Sequence, residues 1–357
     1  MYSLLFIIGL VFFGRRELVH VLDCYLKRNL KENGGLLDEV IWSVNTNKVD
    51  DLAYLEDLLA SNPSYRKHVA TKTYEWYIGA WEAVDDPSAI YLKIDDDVVY
   101  FEDNAIPALV KRLLDNPQYF TVSANVVNNP ALSWVHGHMG LYKGYYPEMT
   151  SPSQPPPNHS WRASELPSYE GPREGPEGFA KNGSTPPPFK GHRWLPVRLP
   201  EGETYDMSLA PVDTLTYDAF GPSLKNWAAA AQIQYSFLQH LEEGDTWRYK
   251  FDIWDYNYKR LSINFLAIRG SDILDVFPFP ERDDEAYLVQ TRPQQLRRRV
   301  IVDGTALAVH FAFGSQYNAF EGKKGIRWTD ALDRYTAYAD EVNQRSRWWN
   351  RKSRRLI

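Results

Sequence analysis

The chain has 357 residues, more than a minimal domain needs and within reach of one elaborated α/β domain. Its 40 Lys and Arg against 46 Asp and Glu give a formal net charge of −6, which argues against a general nucleic-acid binder, whose footprint is basic. The single cysteine, Cys24, rules out an intrachain disulfide scaffold, so the fold must rest on its core; Cys24 itself reads as a small core residue.

The apolar run Leu4 to Phe13 is too short for a spanning helix of roughly 20 residues, and it lacks the basic start and cleavage pattern of a signal peptide. It reads as a buried first strand ending at Gly14. Membrane association through a missing or short N-terminal segment stays open. Glu17 to Asn33 has helical spacing and stops at Gly34-Gly35. A strand (37–46), a helix (49–63), a third helix (74–87), a strand (89–94), a helix (104–117) with its proline in the first turn and a strand (119–127) follow. This alternation predicts an α/β fold with a mostly parallel central sheet flanked by helices.

The pattern breaks near Met149. Residues 149–192 are crowded with Pro, Gly, Ser and Glu and read as a flexible insertion. Beyond it, 193–343 carries a helix from Ser223, a candidate cap, to Gly244, an aromatic stretch "FDIWDYNYKRLSINF", a strand at 306–313 and a closing helix. The chain would thus divide into a first half, 1–148, the insertion 149–192, a second half of the same domain, 193–343, and a basic tail, 344–357. The arginines at 297–299 and those of the tail read as solvated ends.

The stretch "YLKIDDDVVY" puts Asp95, Asp96 and Asp97 directly after an apolar strand. In open α/β sheets ligands bind beyond the carboxyl ends of the strands. Continued extension would point Asp95 and Asp97 one way and Asp96 the other. Three neighbouring acids repel unless a cation compensates, and Mg²⁺ or Mn²⁺ bridging a diphosphate would do so. Capping of the next turn is the alternative use of such acids. The spacing of an EF-hand is absent.

"YLKIDDDVVY" resembles the DxD-type motif of GT-A glycosyltransferases. "VFFGRRE", "LDEVIWSVNT", "WVHGHMG", "FDIWDYNYKRLSINF" and "VDGTALAVHFAFGSQ" resemble fungal proteins identified as nucleotide-diphospho-sugar transferases, over most of the chain outside the proline-rich segment. The resemblance implies a GT-A fold and a metal-dependent glycosyltransferase, with Mn²⁺ or Mg²⁺, moving a sugar from a nucleotide-diphosphate donor, a UDP-sugar by expectation, to a glycan, protein or lipid; 1–148 would be its nucleotide-sugar-binding half and 193–343 the acceptor side of the same catalytic domain. It suggests the Golgi or secretory lumen; a complete N-terminus would suggest the cytoplasm instead. It implies Asp95 and Asp97 as donor-site acids, with Asp97 the foremost metal ligand, Asp95 a metal ligand or, like Asp96, a ribose or sugar partner, and His310 a further ligand from a late strand.

The resemblance also implies that the end of the first strand contacts the nucleotide, so Arg15 or Arg16 would pair with phosphate or lie along the base; both could equally be solvated at a helix start. Other candidates come from residue chemistry. Asn45 and Thr46 end the second strand as candidate base or ribose partners. An inverting enzyme needs a base for the acceptor hydroxyl, and Asp284, between Asp283 and Glu285, is the candidate; the same run also suits an acidic first turn. His136 and His138 would share a face if extended, lining a cleft or binding metal; no further ligand spacing supports a zinc site, which favours a polar-loop role. Asp252, Asp255 and the rings around them suit a sugar-stacking wall or an aromatic core. Two rival readings remain: a nucleotidyltransferase, which would ordinarily show a Gly-rich, Lys-bearing loop after the first strand, and a non-catalytic carbohydrate- or nucleotide-binding protein.

Overall fold

The computed structural model describes residues 5–72, 77–153 and 160–353, with side chains described up to 343. The chain forms two compact units, Met1–Val126 with Lys250–His310, and Val127–Tyr249 with Phe311–Ile357. The breaks thus do not fall at 148 and 193, where composition suggested them. The physical reason is that late strands return to the first sheet.

In chain order the first unit begins with β1 (Ile7–Phe13), α1 (Arg16–Asn29), β2 (Glu39–Val44), α2 (Val49–Ala60) and β3 (Tyr65–His68). Then come β4 (Ile90–Asp95), β5 (Val98–Phe101), α3 (Ala105–Asp115) and β6 (Tyr119–Val127). The second unit supplies α4 (Pro130–His138), β7 (Tyr145–Pro147), β8 (Trp194–Pro196) and α5 (Trp227–Glu243). The chain returns to the sheet with β9 (Ile253–Asp255), β10 (Phe265–Arg269) and β11 (Arg299–His310).

The sheet runs β3-β2-β1-β4-β10-β6-β11-β5, with β9 on β11. β1 is parallel to β2 and β4, and β2 to β3. The insertion of β10 is antiparallel to both β4 and β6, and β11 is antiparallel to β5 and β9. This is the expected α/β sheet, but its parallel pairing is confined to β1–β4, because β10 and β11 enter it antiparallel. Every residue of β1 is buried, as a strand covered on both faces requires. α1 packs against β5, and α3 against β10 and β11.

Several local expectations shift. The helix expected over 74–87 is a 3₁₀ turn, Ile78–Ala83, with 73–76 outside the described residues. α5 is capped by Asn226, whose side chain accepts from the Ala228 and Ala229 amides, instead of by Ser223; Gly244 ends it at φ 74°. Cys24 is half-buried, its thiol directed at the His20 carbonyl.

In the second unit, β7 and β8 form an antiparallel pair. The segment from 160 onward is not a bare loop. It buries Trp161, Ala163 and Leu166, and sets Tyr169 against Tyr146 and Phe179 against Trp194. The aromatic residues scattered among its prolines and glycines supply that core. Residues 154–159 lie outside the described part, as do the side chains of the basic tail.

Candidate functional site

The parallel pairing aligns the carboxyl ends of β1, β2 and β4: Phe13 lies opposite Val44, and Phe12 opposite Asp95. Gly14, Asn45 and the three aspartates therefore share one edge of the sheet. Asp95 closes β4, and Asp96 and Asp97 make the two-residue turn into β5. Strand alternation thus stops at Asp95, and Asp96 and Asp97 do not point apart. Both reach Arg15: its Nε donates to Asp96 Oδ1 at 3.1 Å, and its Nη2 to Asp96 Oδ1 and, at 2.8 Å, to Asp97 Oδ2.

Lys93 sits two positions before Asp95 on the same strand face and is 3 % exposed. Its Nζ donates to Asp95 Oδ1 and, at 2.6 Å, to the Ile263 carbonyl. Asn264 Nδ2 donates to Asp95 Oδ2 at 3.0 Å. His310 closes β11, where a register shift sets it opposite Val98, next to the turn; its Nε2 lies 3.1 Å from Asp97 Oδ2. Asp95, Asp97 and His310 each offer a ligand atom within 4.8 Å of the other two.

The repulsion among the acids is therefore met largely from within the chain, by Arg15 and Lys93, and the acid run alone does not require a metal. What does fit a cation is narrower. Asp97 is 3 % exposed, yet its Oδ1 has no hydrogen-bond partner among the described residues. Burial pushes the Asp96 carboxyl up to about 6, against the pull of Arg15. Burial acts the same way on Asp97, but His310 and Arg15 outweigh it and hold that carboxyl below the usual range.

Asp284 opens a single turn, Asp284–Ala286, and is 5 % exposed. Its Oδ2 accepts from Trp81 Nε1 at 2.8 Å, and burial raises its pKa against that bond and the charge of Lys93. Its neighbours have structural partners: Asp283 caps the turn and pairs with Arg260, and Glu285 pairs with Arg260 and accepts from the Ile263 amide. Burial lifts Glu285 to about 7, against Arg260 and, more weakly, Lys93. Lys93 thus links the Asp284 turn electrostatically to Asp95.

The remaining candidates divide. Arg15, expected toward phosphate or base, is committed to Asp96 and Asp97. Arg16 makes an exposed pair with Asp50. The Thr46 hydroxyl is given to Asp51, and Asn45 is exposed beside Gly14. His136 and His138 fall on α4, not on a strand, so they face apart: His136 is buried in the second unit and His138 is exposed on Trp134. Asp252 pairs with Arg112 and Asp255 with Arg299. Sequence reasoning passed over Lys93, Asn264, Trp81 and Tyr77. Tyr77 is 51 % exposed, lies 6.3 Å from the Phe12 ring and feels the charge of Asp95.

Comparison with protein families finds no match, nor does comparison with curated proteins. Among solved structures the chain is similar to 4-diphosphocytidyl-2C-methyl-D-erythritol synthase from Anaerococcus prevotii, at 16 % identity and TM-score 0.26 over 34 % of this chain and 54 % of that one. It is also similar to glucosyl-3-phosphoglycerate synthase from Mycobacterium tuberculosis, solved with Mn²⁺ and UDP-glucose, at 15 % identity and TM-score 0.29 over 39 % and 51 %. The chain spans about half the length of these proteins. Among the described residues no helix is long and apolar enough to cross a membrane.

Proposed function

We propose that this chain is a metal-dependent glycosyltransferase taking its sugar from a nucleotide diphosphate, with a UDP-sugar as the expected donor. The observation that carries the reading is the convergence of Asp95, Asp97 and His310 within 4.8 Å at the carboxyl end of β4, with Asp97 Oδ1 buried and unmatched among the described residues. Two carboxylates and an imidazole suit Mn²⁺ better than Mg²⁺, which favours oxygen alone. Those three residues would hold the ion, and the ion when bound would neutralise charge on the diphosphate leaving group.

The residues around that centre have roles of their own under this reading. Asp284 is the base for the acceptor hydroxyl: its raised pKa strengthens it as a base, and Trp81 fixes one oxygen. Tyr77 offers a half-exposed ring, 6.3 Å from that of Phe12, the strand partner of Asp95, for the nucleobase. The acceptor would be a glycan, a protein or a lipid.

The test is a panel of nucleotide sugars incubated with the chain, with and without Mn²⁺. Release of the nucleoside diphosphate that depends on Mn²⁺ is expected. Uptake of UDP and Mn²⁺ with no turnover of any donor would make the chain a binding protein. Release of pyrophosphate from a nucleoside triphosphate would make it a nucleotidyltransferase.

A further inference from the structure

The three aspartates are unequally served by their neighbours. Asp95 has Lys93 on one oxygen and Asn264 on the other. Asp96 places both oxygens on one guanidinium: Arg15 Nε is 3.1 Å from Oδ1 and 3.3 Å from Oδ2, and Nη2 also reaches Oδ1. Asp97 receives Arg15 and His310 on the same oxygen, Oδ2, while Oδ1 is buried without a hydrogen bond among the described residues. A buried acceptor left unmatched costs about 1–3 kcal/mol, and a cation bound there would remove that cost.

We propose that Arg15 is a positioning residue: clamped by Asp96, it grips Asp97 through Oδ2 and so presents Oδ1 to the cation. This rests on the cation reading of the site. Asp96 is then the anchor of Arg15 and not a ligand, which separates the middle acid of the run from its two neighbours. Gly14 fits this use. A Cβ there would stand 3.2 Å from Asp96 Oδ2, so the bare glycine lets that carboxylate lie against the end of β1. The rigid guanidinium fork can span two carboxylates at once; a lysine ammonium is a single point. A carboxylate ligand held from behind by a hydrogen bond keeps its orientation when the ion is absent.

The opposite role for Arg15 is a stand-in cation that must leave when the metal arrives. The two roles predict opposite results. Mn²⁺ binding to the donor-free chain, read from the resonance of free Mn²⁺, should weaken about 10- to 100-fold in Arg15→Ala. Arg15→Lys should not restore it. Asp96→Asn, which keeps the side-chain shape and is the variant to read if Arg15→Ala does not fold, should give a smaller loss in the same direction. Equal or tighter binding in Arg15→Ala would overturn the proposal, as would a lowered melting temperature with Mn²⁺ affinity unchanged. Unchanged affinity in Asp96→Asn would remove Asp96 from the role. Failure of the unaltered chain to bind Mn²⁺ would instead sink the cation reading itself.

Discussion

His310 Nε2 lies 3.1 Å from Asp97 Oδ2, and a slip in strand register puts it there. Along β11, Ala308 and Val309 face Phe101 and Tyr100 in step, and then His310 faces Val98, one position further than regular pairing allows. The bulge brings the end of β11 to the turn that carries Asp96 and Asp97. Two segments distant in sequence thereby meet at one carboxylate.

Asp97→Asn tests that meeting. The amide keeps the size of the side chain but removes the charge that Arg15 and His310 share. Mn²⁺ affinity should fall by about 100-fold or more, the upper end of what ligand-shell changes cost. Stability should drop by about 1–3 kcal/mol, since a charged hydrogen-bond acceptor is lost in a buried place. Titration calorimetry with Mn²⁺ and a melting curve measure both. Affinity within a factor of two of the unaltered chain would exclude Asp97 as a ligand.

Asp284→Asn separates chemistry from binding. Asn Oδ1 can still accept from Trp81, so the turn should keep its place. Loss of the base should lower kcat by about 10²- to 10⁴-fold with little change in donor affinity. In the unaltered chain, kcat/KM should rise with pH as Asp284 loses its proton, with an apparent midpoint above the ordinary carboxylate range, because burial raises this group. Asp284→Asn should abolish that limb. A variant that keeps full kcat would leave Asp284 as a partner of Trp81 alone.

Much of the first sheet was legible because its strands are long, apolar and β-branched, and because the acids follow one of them without a gap. β1, β4 and β6 fall where the pattern put them. What the pattern could not carry was partnership. That β10 inserts beside β4 depends on a chain reversal far downstream, which no local period records. Arg15 looked like a phosphate partner because its chemistry suits phosphate, and nothing local says that Asp96 and Asp97 turn together toward it. Lys93 did leave a signal: a lysine inside an apolar strand, two places before an aspartate, shares a face with it and needs a counter-charge. The histidines of "WVHGHMG" misled because a period of two was assumed where α4 forms.

The second unit should lose stability as pH falls. His136 and His192 are both fully buried. Burial drives His136 down to about 3; it drives His192 down to about 4, against bonds to the Phe189 and Trp328 carbonyls. The unfolded histidines titrate near 6.5. Between the folded and unfolded values the unfolded chain binds more protons, so stability rises with pH across that window and is lost below about 6.5. From pH 7 to pH 5 the loss should be on the order of 2 kcal/mol for each histidine. Urea unfolding at pH 7, 6 and 5 reads it. The raised carboxyls of Asp96 and Glu285 act in the opposite direction over the same window, so the reading is the difference between variants: His136→Gln should lose about 2 kcal/mol less than the unaltered chain from pH 7 to pH 5, and an equal loss would mean that His136 does not titrate in this way.

Trp161 decides whether the proline-rich segment is an appendage or part of a core. Its indole packs edge-on against Tyr338 at 4.8 Å, and its Nε1 donates to Glu341 Oε2 at 2.7 Å. The Arg162 guanidinium lies 4.6 Å from the same ring and pairs with Glu341 at 2.9 Å. The segment is thus tied to the closing helix Ala331–Ser353 by an aromatic contact, a hydrogen bond and an ion pair. The ion pair is part-exposed and contributes little alone; removal of the buried indole dominates. Trp161→Ala should cost about 3–5 kcal/mol, the range for emptying a large aromatic site. A flexible loop would predict a change within about 0.5 kcal/mol. Chemical unfolding followed by circular dichroism separates the two, since the expected gap is several times the error of such a measurement. A near-zero cost would return the segment to the role its composition first suggested.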